Sequence, residues 1–164
     1  MMRETTLNKL IEMRLTAMAD VLRGQFNDPS YEKLSFEERL GILVDTEYNS
    51  RKNRRLTRLI KNARFDNPMA CIADINYSSG RLLNKDLIMR LSSCDYIANK
   101  YNVIIMGASG SGKSYLACAL GLQACQQFYK VRYIRLPEML AELAIAQDEG
   151  TYPKVFNQFR KPQL

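Results

Sequence analysis

VIIMGASGSGKSYLA, residues 103–117, is the stretch on which the reading of this chain turns. Val103, Ile104, Ile105 and Met106 form a short apolar run rich in β-branched residues, the pattern of a strand buried on both faces of a parallel sheet. Behind the glycines, Leu116, Ala117, Leu120, Ala124 and Phe128 recur at three- and four-residue spacing, which predicts an amphipathic helix. Between strand and helix, Gly107-Ala108-Ser109-Gly110-Ser111-Gly112-Lys113-Ser114 fits the spacing G-x-x-x-x-G-K-[ST] at every required position.

Each residue type in that pattern has a physical task. Without a Cβ at Gly107, Gly110 and Gly112, consecutive amide N–H groups turn into one concave nest at the positive end of the helix dipole, where an anion binds. Lys113 is placed to reach β- and γ-phosphates, and the Ser114 hydroxyl to ligate Mg²⁺. The expected nucleotide-binding set is Gly107, Ser109, Gly110, Ser111, Gly112, Lys113, Ser114 and the adjoining Tyr115, with Ser114 also the metal ligand. The plainer alternative is a flexible Gly/Ser turn with a solvated lysine.

Composition narrows the classes. With 46% hydrophobic and 25% charged residues in 164, the chain has enough apolar material for a core, and its net charge of +7 points to a polyanionic partner. There is no histidine, which excludes His-dependent metal sites and His-based triads. Cys71, Cys94, Cys118 and Cys125 show no C-x-x-C pairing, so structural zinc is not expected. The start, MMRETTLNKL, lacks the apolar core of a secretory signal, and no apolar run reaches membrane-spanning length. A cytoplasmic protein without a membrane partner is the resulting expectation, and no catalytic residue is assigned.

Along the chain, Leu7, Leu10, Ile11, Leu15, Met18, Val21 and Leu22 predict one helix over 6–23, capped by Thr5 or Thr6 and stopped at Gly24. Asp28-Pro29 breaks the pattern, and Ser35-Phe36-Glu37-Glu38 supplies a capping box for a longer helix that Asn67-Pro68 halts. Within it, Arg51, Lys52, Arg54, Arg55, Arg58, Lys61 and Arg64 occur without an intervening acid. Helical spacing lines these residues into a positive face suited to the DNA backbone, read without base specificity. A solvated surface, or a face docking on an acidic protein, is the alternative.

Residues 69–86 read as a connector with a turn at Ser78-Ser79-Gly80, followed by a helix bearing Leu87, Leu91, Cys94 and Ile97. Ile72, Ile75 and Tyr77 lie where they could cover a nucleotide base, or pack on the core. KVRYIRL, residues 130–136, reads as an alternating strand; Pro137 opens a helix with Met139, Leu140 and Leu143, and a last short helix stops at Pro162.

These motifs resemble the IstB-like ATPases, the transposition helpers of bacterial insertion sequences, which belong to the AAA+ class and are related to the helicase loader DnaC. The resemblance rests on NVIIMGASGSGKSYLACALG and on ERLGILVDTEYNSRKNRRLTRLIKNARF, and extends over the whole chain. It implies an α/β fold: a basic helical region over 1–66, a connector and helix over 67–100, and over 101–164 the first, incomplete part of a P-loop parallel-sheet domain. It implies ATP and Mg²⁺ as cofactors, DNA and a transposase as partners, and a homo-oligomer in the full-length form. A helicase loader, a non-hydrolysing DNA- or transposase-binding fragment and a P-loop small-molecule kinase are the alternatives. The family pattern continues past Leu164 into a Walker B strand, sensor residues and an arginine finger, so the chain reads as truncated before Walker B. In the implied sheet order two later strands separate 103–106 from 131–135, so an isolated chain is expected to hydrolyse ATP poorly and to leave strand edges bare.

Overall fold

The computed structural model describes residues 2–77 and 83–164. Eight α-helices are present among them: α1 (Met2–Glu12), α2 (Thr16–Asn27), α3 (Phe36–Ala63), α4 (Lys85–Ser92), α5 (Asp95–Ala98), α6 (Lys113–Gln126), α7 (Leu136–Asp148) and α8 (Tyr152–Arg160). Short 3₁₀ turns occupy Pro29–Lys33 and Ile72–Asp74. The chain divides into two compact units, Met1–Arg55 and Leu56–Leu164. Helix α3 supplies residues 36–55 to the first and 56–63 to the second.

In the first unit the single helix expected over 6–23 is two. Arg14 takes a left-handed backbone (φ 59°), and the Arg14 and Leu15 N–H groups donate back to Ile11 and Leu10 carbonyls, closing α1 in a Schellman-type turn. The helix starts ahead of the expected Thr5/Thr6 cap, and Gly24 lies inside α2. One glycine costs a helix only about 1 kcal/mol, so it need not end one. The capping box before α3 forms as expected: the Glu38 N–H donates to Ser35 Oγ at 3.2 Å, and the Ser35 N–H to Glu38 Oε2 at 2.7 Å.

Leu15, at the start of α2, offers no side-chain cap. A carboxylate from α3 takes that place: Glu47, only 4% exposed, accepts the Met18 N–H at 3.1 Å and the Arg51 Nε–H at 2.7 Å. Arg51 then donates through Nη2 to the Arg14 carbonyl at 3.1 Å. The pair therefore fixes both sides of the break between α1 and α2.

The second unit is built around α6. Cys118, Ala119, Leu122, Ala124 and Cys125 are all buried, so the helix is covered on more sides than the expected single stripe, and Ala117 is exposed. Phe65 lies so close to Gly121 that a Cβ there would sit 2.5 Å from the ring. Glycine at 121 is thus a packing requirement. The helix expected through Leu87 and Ile97 is interrupted by buried Cys94 at φ 63°, which separates α4 from α5. Helix α3 ends before Asn67-Pro68, with Arg64 left-handed (φ 57°) and the Ala63 carbonyl accepting the Tyr133 N–H at 2.8 Å. The turn expected at Ser78-Ser79-Gly80 lies outside the described residues.

The expected parallel sheet is not formed: no strand occurs among the described residues. Residues 103–106 form no ladder, and Ile104 and Met106 are 82% and 88% exposed. Residues 130–135 make one parallel-type pair of bonds, the Leu164 N–H to the Lys130 carbonyl and the Arg132 N–H to the Leu164 carbonyl. A single pair is too short to constitute a strand. The α/β class is therefore corrected to an all-helical arrangement in these residues. The physical reason lies in the pairing: residues 103–106 have no neighbouring segment to complete a ladder, and a segment without a partner is no strand, whatever its β propensity.

Candidate functional site

The glycine loop leads directly into α6. Gly110 and Gly112 both adopt positive φ, 73° and 90°, a conformation that other residues enter only with strain. At Gly107 a Cβ would stand 2.9 Å from Ser111 Oγ, so that hydroxyl would have to turn aside. Gly112 occupies the N-cap position of α6 without a side-chain cap, and the first turn holds no acidic residue. The first-turn N–H groups consequently face outward with the helix dipole behind them, which fits an anion such as a nucleotide phosphate.

Lys113 is the first residue of α6, and its Nζ donates to the Ala108 carbonyl at 2.6 Å, so the loop is folded over its own lysine. Ser114 follows with an exposed side chain. The Tyr115 hydroxyl is engaged on the connector: it accepts from the Cys71 N–H at 3.1 Å and donates to the Cys71 carbonyl at 3.2 Å. Of the expected set, Gly107, Ser111, Gly112, Lys113 and Tyr115 line one cleft of about 390 Å³, a volume in the range of small-molecule sites. Ser109, Gly110 and Ser114 are not part of its lining.

Asp74, Ile75 and Asn76 form the connector side of that cleft. Ile72, Ile75 and Tyr77 all pack against the core cluster of Ile88, Leu116 and Leu120, and of the three only Ile75 also lines the cleft. Tyr77 also carries Lys85 Nζ 5.8 Å above its ring. Asp74 was not singled out by the sequence reading. Its signal was faint: one of two acids in the connector, beside the loop where Tyr115 is bonded to Cys71.

The chain just ahead of the connector is held at Asp66. Its Oδ2 accepts from the Tyr133 hydroxyl at 3.0 Å and from Arg135 Nε at 2.9 Å, and Arg135 Nη2 donates to the same oxygen. The Arg135 hydrogen bonds, with help from Tyr133, hold the carboxyl below its ordinary value.

The basic run divides by what its members already bind. Arg51 is committed to Glu47 and Arg14 as described, and Arg54 donates to Ser50 Oγ at 2.9 Å while lying 3.9 Å from Glu47. Lys52 stands 5.0 Å over the Tyr48 ring. In the second unit Arg58, Lys61 and Arg64 are exposed. Among the described residues no group of His, Cys, Asp and Glu is placed to hold a metal ion, and no helix is long and apolar enough to cross a membrane.

A glycine loop of positive φ entering an uncapped helix, with a lysine at its first position and a cleft alongside, is a geometry that suits anion binding. The chain belongs to the family of IstB-like ATP binding proteins, which it matches over residues 8–164. It is 41% identical over 161 residues to a Pseudomonas fluorescens protein named for ATP binding in insertion sequence IS1162, covering 98% of this chain and 70% of that one. Two insertion-sequence proteins of Sinorhizobium fredii, also named for ATP binding, are similar: y4pL at 38% identity over 100% of this chain and 66% of its own length, and y4uH at 35% over 92% and 60%. The chain thus spans between 60% and 70% of the length of these three relatives.

Proposed function

We propose that the chain binds ATP with Mg²⁺ at the loop 107–114, binds DNA through basic side chains of α3 and Arg64 just beyond it, and serves a transposase as an ATP-binding helper in DNA transposition. The observation that carries the reading is the uncapped N-terminus of α6 behind Gly110 and Gly112, with Lys113 in the cleft wall. Family membership and the names of the insertion-sequence relatives support the same nucleotide and the same biological setting.

The residues divide the work by chemistry. The Gly112–Lys113–Ser114 backbone offers N–H donors to phosphate oxygens, and Lys113 exchanges its bond to Ala108 for a charge-assisted one to the same anion. Ser114 offers its hydroxyl to Mg²⁺, which when bound neutralises phosphate charge. Ile75 gives the base an apolar surface on the connector side. For DNA, Arg58, Lys61 and Arg64 offer cations in the second unit, while Arg51 first serves the fold of its own unit. The setting proposed is the cytoplasm.

Calorimetric titration of the full chain with ATP, with and without Mg²⁺, tests the reading. Mg²⁺ should tighten binding in the natural chain, and Ser114→Ala should lose that increment while retaining Mg²⁺-free affinity. Absence of ATP binding under both conditions would contradict it.

A further inference from the structure

We propose that the exposed side of α8 carrying Tyr152, Phe156 and Arg160 is a stacking platform for the unpaired bases of single-stranded nucleic acid. The three residues follow one another at one-turn intervals along α8 and so share a face. The Tyr152 and Phe156 rings are already parallel to within 12°, with centroids 5.7 Å apart, yet they remain 40% and 44% exposed. Arg160, also exposed, continues the row by one turn with a planar cation.

The helix is held from its neighbouring side. Phe159 lies under the Arg132 guanidinium at 5.1 Å, and Arg132 is paired with Glu142 of α7 at 3.0 Å. Two aromatic rings are therefore presented on an anchored element while a third does the anchoring. Exposed aromatics in a row call for a ligand with flat faces. The charge along the helix selects its sign: Lys154, Arg160 and Lys161 lie in residues 151–164 without an acidic residue, while Asp148 and Glu149 stand ahead of its start. Flat faces joined by a negative backbone describe nucleic acid, and only an unpaired strand has base faces open to a protein ring.

This inference uses neither the glycine loop nor α3 and stands apart from the function proposed above. The test measures anisotropy of a fluorescein-labelled twelve-nucleotide oligothymidylate and of an abasic strand of equal length with the full chain. The natural chain should bind the thymidylate about tenfold more tightly or better, since stacking on two rings adds to the phosphate contacts. Tyr152→Leu/Phe156→Leu, which keeps apolar side chains and is checked for native circular dichroism, should bind both strands alike at the abasic affinity. Arg58→Ala/Lys61→Ala should leave the ratio of the two affinities intact, and a ratio that falls to one in that variant would overturn the proposal. Equal affinity of the natural chain for the two strands, or an undiminished ratio in the folded double variant, would overturn the proposal. So would ring-dependent binding to anionic phospholipid vesicles without any thymidylate preference.

Discussion

Glu47 of α3 accepts the backbone N–H of Met18 at 3.1 Å, and so caps a helix to which it does not belong. Helix α2 begins at Thr16 without a side-chain cap of its own, and the carboxylate that supplies one is held in place by Arg51. The arrangement is asymmetric, because the Glu47 side chain is 5% exposed and that of Arg51 55%. Removing the arginine leaves a buried carboxylate short of its cation, whereas removing the glutamate leaves an arginine that water can solvate. Arg51→Met should therefore destabilise the first unit more than Glu47→Gln, the latter by about 1–3 kcal/mol. Urea titrations followed by helical circular dichroism check the order, and the reverse order would refute the asymmetry between the two partners.

The same contact fixes an acid dependence. The Arg51 hydrogen bond holds the Glu47 carboxyl below its ordinary value of 4.5, assisted by the Met18 N–H. A carboxyl lowered on folding contributes stability that is present above its unfolded value and lost as pH falls through the folded one. Asp66, lowered from 3.8 by Arg135 and Tyr133, has the same sign. Stability should hold between pH 7 and about 5 with respect to these two groups and decline below 4.5, and Glu47→Gln should reduce the decline. Thermal melts across pH 3–7 measure it.

Gly121→Ala places a methyl against Phe65 at 2.5 Å and faces Val131 at 3.4 Å. Overpacking of this kind costs about 1–3 kcal/mol, and Phe65→Leu in the same chain should recover part of it by withdrawing the ring. Chemical denaturation of the single and double variants reads the coupling.

Phosphate contacts by Arg58 and Lys61 set a salt slope. If both neutralise phosphates on duplex DNA, replacing them by Ala should reduce the slope of log K against log salt by roughly 1.8, at about 0.9 per contact. A change much smaller than that in filter-binding titrations would assign those cations to another partner.

Local signals were legible where local physics decides. The capping box at Ser35 and Glu38, the long helix after it and the turn of the glycine loop into α6 follow from residue spacing alone. The Arg14 break was not legible, since a left-handed arginine has no sequence mark and the device that secures it, Glu47 with Arg51, is 33 residues away at its nearer member. The strands expected at 103–106 and 130–136 do not form: the first segment is apolar and the second alternates, but a strand exists only with a neighbour, and pairing partners are not encoded in the segment itself. For the site, the glycines and Lys113 announced themselves, while the place of Asp74, Ile75 and Asn76 depends on Tyr115 meeting Cys71, a contact between residues 44 apart. The basic run showed its charge but not its prior commitments at Arg51 and Arg54.

Phosphate binding at the loop before α6 is the central claim, and Lys113 tests it most directly. Lys113→Ala keeps the glycines and the uncapped helix start and removes the cation at the cleft together with its bond to the Ala108 carbonyl. In a titration of the full chain with a fluorescent ATP analogue and Mg²⁺, the variant should bind at least about tenfold more weakly, corresponding to about 1.4 kcal/mol. Equal affinities of the natural chain and the variant would contradict the account.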